Sequence, residues 1–150
     1  ATHLSNGNYE KAKTILNEAL KLHISGSDKS EVQVYLGAIE AKNKDYPTAR
    51  KLFLEAAASN PANKEAYEKI GDLYYNSADE CAKRVAKAED RLVYLAAYEM
   101  YQKAGSSAGM ARAKAQFPSV EEIFELNWQK GSTHRVGCCI QESVGVKTRD

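Results

Sequence analysis

The sequence has no long apolar run and no excess of charge of one sign. Apolar runs such as residues 94–98 are only a few residues long, whereas a membrane-spanning helix needs roughly 18 or more. The 21 Lys and Arg residues nearly balance the 20 Asp and Glu residues, which gives a net charge of +1. We therefore expect no transmembrane segment, and no basic patch of the kind that a nucleic-acid backbone requires.

Cysteine, proline and glycine are scarce. The 150 residues include three Cys, three Pro and nine Gly. Three cysteines exclude a small domain built on disulfides, and their odd number leaves at least one thiol free or bonded to another molecule. The low proline and glycine content argues against a disordered chain. This composition is typical of a globular protein that is long enough to bury a core.

The motifs of phosphate-binding loops and of zinc proteases are also missing. The sequence contains no phosphate-binding loop and no His-Glu-x-x-His. The carboxylate pairs Glu121–Glu122 and Glu89–Asp90 lie in charge-rich segments, where solvated helix faces or partners of the helix dipole are expected. We therefore predict that the chain is not an enzyme, and we expect neither a cofactor nor a metal.

A repeat is present instead. Gly37 and Gly71 each follow a large aliphatic residue and are 34 residues apart. A glycine inside a helix costs about 1 kcal/mol relative to alanine, so we expect each one to allow a close helix crossing. Three segments also share a small residue, a large residue four positions later and an alanine three positions after that. They are Ala12-Leu16-Ala19, Ala49-Phe53-Ala56 and Ala97-Tyr101-Ala104.

This pattern resembles the tetratricopeptide repeat, whose period is about 34 residues. The family positions matched in the complete repeat, at about residues 30–63, are Leu36, Gly37, Ala49, Phe53, Ala56 and Pro61. A partial repeat at about residues 6–29 lacks its first helix or reduces it to residues 1–6. A third, at about 64–104, carries an insertion of about 14 residues. The resemblance implies an all-α fold, an α-α superhelix of antiparallel helix pairs, and binding of a protein or peptide.

The insertion has no glycine or proline and is rich in helix-forming residues. We expect it to lengthen the helices on either side of a short break at about residues 76–90. The apolar residues that keep helical spacing there are Val85, Ala88, Leu92, Leu95 and Ala96.

The C-terminal part has a different character. We predict a short helix at about residues 107–115, and then a helix opened by a capping box of Ser119 and Glu122. After Gly131 the apolar period changes to two, which predicts a short β-hairpin with strands at 133–140 and 143–149. In the first strand Val136, Cys138 and Ile140 would share one face. The expected domains are a repeat array over 1–116 and a capping helix with a hairpin over 117–150.

Residues 94–105, 117–124 and 136–142 are also similar to the corresponding parts of exported tetratricopeptide-repeat proteins of Bacteroidetes-type bacteria. Members of that group usually carry Trp at the position of Cys139, so this chain departs from them there. The resemblance implies a periplasmic or envelope protein associated with the outer membrane. This sequence shows no apolar signal core, so we expect that any export signal was removed or never existed, and that the start at Ala1 reflects processing.

The first helix of each repeat is expected to line a concave groove that binds a protein or peptide. Three acidic side chains in the third repeat, Glu65, Glu68 and Asp72, favour a ligand of basic character. The alternative is an ordinary solvated helix face. The groove residues are Glu31, Val34, Ala38, Ala41 and Lys42 in one repeat and Glu65, Glu68, Asp72, Tyr75 and Asn76 in the next.

The thiols leave several interpretations open. Buried, inert cysteines are favoured, and a disulfide from Cys81 to Cys138 or Cys139 is an alternative in an oxidising compartment. A zinc site of His134 and Cys138 with a further ligand, Cys81 or His23, has no supporting motif. A redox-active Cys139 is a further alternative.

Two surfaces offer routes to self-association. The half repeat at the start leaves Ile15, Leu16 and Leu20 partly uncovered, so a second copy or a further helix is expected to cover them. The hairpin could dock by strand addition, which would make the chain a structural envelope protein instead of a groove-binding one.

Overall fold

A computed structural model describes residues 6–138 and 140–150, with the side chains of residues 6 and 7 left out. The chain is mostly helical and ends in a short antiparallel hairpin, which confirms the predicted fold class. Its contacts divide it into two compact units, Ala1–Ala66 and Tyr67–Asp150, and the division falls inside a helix. The elements are α1 Asn6–Leu20, α2 Gly26–Lys42, α3 Tyr46–Ser59, α4 Lys64–Asn76, α5 Ala78–Cys81, α6 Lys87–Asp90, α7 Leu92–Ala104, α8 Ser107–Lys114, α9 Val120–Glu125, β1 Thr133–Val136 and β2 Glu142–Gly145.

In the first unit, α2 and α3 form the helix pair of the complete repeat. Ser25 caps α2 by accepting a hydrogen bond from the backbone N–H of Asp28, and Asp45 caps α3 by accepting one from Thr48. A Cβ atom on Gly37 would lie 2.5 Å from the ring of Phe53. The close helix crossing predicted at this glycine is therefore confirmed.

The second unit contains most of α4 and the elements from α5 to β2. A Cβ atom on Gly71 would lie 2.7 Å from the ring of Tyr101, so the second repeat glycine also permits a close crossing. Tyr101 and Tyr74 are fully buried. The second unit thus has the same contact of a helix glycine with an aromatic ring, even though the insertion separates its two main helices, α4 and α7.

The insertion forms two single-turn helices, α5 and α6, around a break at residues 82–86. The carboxylate of Asp90 accepts hydrogen bonds from the backbone N–H groups of Lys83 and Arg84, at 2.8 and 2.9 Å. These bonds hold the chain at Arg84, whose φ of 59° is left-handed. Val85 lies in the break and is 85% exposed, so the expectation that it keeps helical spacing was wrong.

In the C-terminal part, the helices agree closely with the prediction from the sequence, and the strands agree less well. The capping box of Ser119 and Glu122 is present at the start of α9. The strands β1 and β2 pair antiparallel, with Val136 opposite Glu142, and both are shorter than predicted. The φ values of 56° at Cys138 and 52° at Gln141 are incompatible with an extended strand, so both residues belong to the connection between the strands. Cys138 therefore does not share a strand face with Val136.

Candidate partner-binding groove

An apolar groove of about 450 Å³ lies between α1 and α2 in the first unit. Its volume is in the range of about 300–1,000 Å³ that is common for binding sites. Lys42 is the only charged side chain among the described residues that line it. The lining residues are Tyr9, Ala12, Ile15 and Leu16 from α1 and Tyr35, Ala38, Ile39 and Lys42 from α2.

Helical spacing explains why these side chains converge. On α2 the lining residues fall at positions i, i+3, i+4 and i+7 from Tyr35, which places them in one stripe along the helix. On α1 the stripe begins at Tyr9 and continues for two turns. Ala12 and Ala38 are small, so a trough remains between the larger side chains around them.

The ion pair of Lys13 and Glu40 fixes the register of α1 against α2. Their Nζ and Oε1 atoms are 2.8 Å apart, and Glu40 is 8% exposed. The hydrogen bond to Glu40 raises the pKa of Lys13, although burial opposes the shift. Because a short connection, residues 21–25, joins the two helices, they run antiparallel. Tyr9 and Lys42 therefore mark one end of the groove.

The groove is open to solvent. Two of its large lining side chains, Ile15 and Tyr35, are 67% and 56% exposed. Surface apolar residues are common singly, but a contiguous apolar patch marks an interaction site in many proteins. The groove can therefore accept the apolar stripe of another molecule without rearrangement of the helices.

The structure places the groove residues predicted in the first unit at different depths. Ala38 and Lys42 line the apolar groove. Val34 is only 4% exposed, so we correct the expectation that it offers a binding surface: its side chain is part of the core. Ala41 is half-buried outside the lining, and Glu31 and Glu65 are exposed.

Sequence reasoning did not assign the α1 side of this groove to a binding site. It did note that Ile15, Leu16 and Leu20 would be partly uncovered, and Ile15 and Leu16 prove to line the groove. Ala12 belongs to the repeat motif, which predicts helix packing at this position. The useful signal was the incomplete first repeat, which leaves an apolar helix face without a partner helix.

In the second unit, two of the predicted groove residues, Asp72 and Glu68, bond within the chain. Asp72 accepts a hydrogen bond from the hydroxyl of Tyr101 at 2.7 Å and pairs with Arg112 at 3.2 Å. Glu68 accepts a hydrogen bond from Ser106, while Asn76 is exposed. A basic ligand would have to compete with Arg112 for Asp72.

Arg112 links the remaining members of this cluster. Its guanidinium lies over the ring of Tyr75, 4.4 Å from the centroid, and donates a hydrogen bond of 2.6 Å to the Tyr101 hydroxyl. Burial, and then the carboxylate of Asp72, raise the pKa of Tyr101 well above its ordinary value, although Arg112 opposes the shift. The cluster is a bonded network within the second unit.

Cys81 and Cys138 form a disulfide, with their Cα atoms 5.8 Å apart. The favoured interpretation of inert thiols was therefore wrong for these two residues, and Cys138 is exposed. The bond ties the end of α5 to the hairpin connection. Cys139, with the redox role considered for it, lies outside the described residues.

The residues considered for a zinc site make other contacts. His134 stacks on Trp128, with ring centroids 3.9 Å apart, and its Nε2 lies 2.8 Å from the Ser132 hydroxyl. Within residues 6–138 and 140–150, no group of three or more His, Cys, Asp or Glu side chains is placed to hold a metal ion.

The repeated helix packing and the open groove define a class, the helical-repeat proteins. Residues 2–64 match the family model of the tetratricopeptide repeat, and this part of the chain is a tetratricopeptide-repeat segment. No curated protein and no solved structure matches the chain. None of the helices in the described part is long and apolar enough to span a membrane. Tetratricopeptide repeats generally mediate protein–protein interactions and typically act as scaffolds without enzymatic activity.

Proposed function

We propose that this chain is a protein-interaction module that binds a helix of a partner protein in the groove between α1 and α2. The observation that carries the proposal is the open apolar trough with Ile15 and Tyr35 exposed along it. An amphipathic helix laid in such a groove buries apolar area on both sides, at about 25 cal/mol per Å² removed from water.

The shape of the groove favours a helix over a small molecule. Sites for small ligands usually enclose about 70–90% of the ligand surface. A trough in which Ile15 and Tyr35 are more than half exposed covers one side of its occupant and leaves the other in water. An amphipathic helix suits that arrangement, because only its apolar stripe needs cover.

We further propose that the chain acts as a scaffold without catalytic activity and works outside the cytoplasm. The disulfide between Cys81 and Cys138 supports the location, because such bonds persist in oxidising compartments and are rare in the cytosol. The resemblance to exported proteins of Bacteroidetes-type bacteria points to the envelope. Detection of the protein by cell fractionation, with periplasmic and cytoplasmic markers, tests this part.

Site-specific photo-crosslinking tests the groove. A photoreactive residue at Ala38 lies in the trough, whereas one at Leu22 lies on an exposed apolar site of the same unit outside it. We expect Ala38 to crosslink a protein partner in native extract and Ile15→Asp to abolish that product. Equal products from both positions, or a product that survives Ile15→Asp, would contradict a groove site and favour the hairpin.

A further inference from the structure

The groove has one charged end. We propose that the partner helix carries an acidic side chain at one end of its apolar stripe, where it meets Lys42. This inference rests on the proposed function. It adds the charge of one partner side chain and the direction in which the partner helix lies in the groove. Lys42 is the single charged lining residue among those described.

Lys42 is available because the neighbouring carboxylates of Glu40 and Glu10 lie against Lys13 instead. Lys13 pairs with Glu40 at 2.8 Å and lies near Glu10 at 3.7 Å. In the part of the chain that the structure describes, no acidic side chain lies within ion-pair distance of Lys42, which is exposed. Lys42 therefore presents a positive charge with no ion-pair partner among the described residues.

The spacing along α2 defines the expected pattern of the partner. From Tyr35 to Lys42 the stripe rises about 10 Å, at about 1.5 Å per residue. A helix lying in the groove would cover this length with apolar residues at i, i+3 or i+4 and i+7. An Asp or Glu about one turn beyond the last of these would reach Lys42. Among the described lining residues, none at the other end, near Leu16 and Tyr35, is charged.

The interaction is expected to select partners more than to strengthen binding. Lys42 is exposed, so its pair with an acid is solvated and screened by salt. Exposed ion pairs change an affinity by roughly two- to fivefold. Their larger effect is to disfavour a basic side chain in the same place, which fixes the direction of the bound helix.

A phage-displayed library of helical peptides tests the inference. Its members share an apolar stripe at i, i+3, i+4 and i+7, and the positions that flank both ends are randomised. The library is selected on the full chain and on Lys42→Glu, with Lys29→Glu as the matched control. Lys29 is exposed on the same helix and does not line the groove. Ile15→Asp reports whether a peptide uses the groove, and circular dichroism checks that each variant folds.

We expect the parent chain to enrich Asp or Glu at one flank and Lys42→Glu to enrich Lys or Arg there. Affinity of the acidic peptides for Lys42→Glu should fall roughly two- to fivefold, and Lys29→Glu should leave it unchanged. Peptides that need Ile15 but show no acidic preference would overturn the inference and leave the proposed function standing. Peptides indifferent to Ile15→Asp, or no enrichment at all, would overturn both.

A fatty acid shares the chemistry of an apolar chain with one carboxylate, so myristate is included as a competitor. Displacement of peptide only at concentrations that form micelles supports the helix. Binding of myristate that depends on Ile15 and Lys42, with no peptide enriched, would show that the occupant is a fatty acid and that the inference is wrong.

Discussion

The ring of Tyr101 occupies the space that a Cβ atom on Gly71 would need, 2.7 Å from its Cε1 atom. Phe53 has the same relationship to Gly37, where the distance is 2.5 Å. The two glycines are 34 residues apart, and each accepts the large residue of the following motif. The repeat is therefore a repeated packing contact as well as a repeated sequence.

Replacement of Gly71 by alanine is expected to destabilise the second unit. The added methyl group would overlap a buried ring, and such overpacking costs about 1–3 kcal/mol, which exceeds the gain of about 1 kcal/mol in helix propensity. Chemical unfolding in urea measures the change. Gly145→Ala is the control, because nothing lies within 4 Å of its Cβ position. A Gly71→Ala protein as stable as the parent would contradict the packing argument.

Removal of the Tyr101 hydroxyl is expected to lower the free energy of unfolding by about 1–2 kcal/mol at neutral pH. The hydroxyl donates to Asp72 and accepts from Arg112, and Tyr101→Phe removes both bonds without changing the ring. Tyr98→Phe is the matched control, since no described residue bonds to the Tyr98 hydroxyl. Equal losses from the two variants would show that the network contributes nothing.

We expect alkaline pH to lower the free energy of unfolding through Tyr101. The pKa of Tyr101 is raised by burial and by Asp72, whereas a tyrosine in the unfolded chain ionises near its ordinary pKa of about 10. Above that pH the folded state holds more protons, so the free energy of unfolding falls as pH rises. Unfolding of the parent and of Tyr101→Phe between about pH 8 and 11 checks this, with a shallower decline expected for the variant. Parallel declines would exclude Tyr101 as the source.

Glu122 is expected to make the second unit sensitive to acid. Burial opposes ionisation, but hydrogen bonds from Ser119 and the guanidinium groups of Arg149 and Arg91 outweigh it and lower the pKa of the carboxyl. Its stabilising contribution is then present above the unfolded-state pKa of about 4.3 and is lost as pH falls through the folded-state pKa. Glu122→Gln should lose about 1–3 kcal/mol at neutral pH and decline less on acidification.

The control for that experiment is Glu121→Gln, which changes an exposed neighbour in the same helix. Thermal unfolding from about pH 7 to pH 3 follows both variants and the parent. If Glu121→Gln flattened the acid dependence as much as Glu122→Gln, the effect would come from net charge and not from the buried ion pairs.

Loss of the disulfide is expected to cost about 2–4 kcal/mol, because the bond closes a loop between residues 57 positions apart and restricts the unfolded chain. The double variant Cys81→Ser with Cys138→Ser tests this by urea unfolding. The control is Cys139→Ser, which leaves both bonded cysteines in place. Peptide mapping under non-reducing conditions should find Cys81 linked to Cys138, and a link to Cys139 would contradict the structure.

Local rules predicted the features that depend on neighbouring residues. The capping box at Ser119 was predictable because both of its hydrogen bonds join residues three apart. The close helix crossings at Gly37 and Gly71 were predictable because a glycine destabilises the interior of a helix, so its presence there indicates a close approach of another helix. The ends of the strands were not, since Cys138 and Gln141 have left-handed backbones, which β-propensity does not encode.

The sequence by itself determined the helix-pair repeat, since its apolar spacing and its 34-residue glycine interval specify which faces must be buried. It also determined that Ile15 and Leu16 would lack full cover. Only the tertiary structure decided that Asp72 bonds to Arg112 and Tyr101, and that Ile15 and Lys42 border one groove. Those outcomes depend on contacts between residues far apart in the chain, and residue spacing within one helix does not encode them.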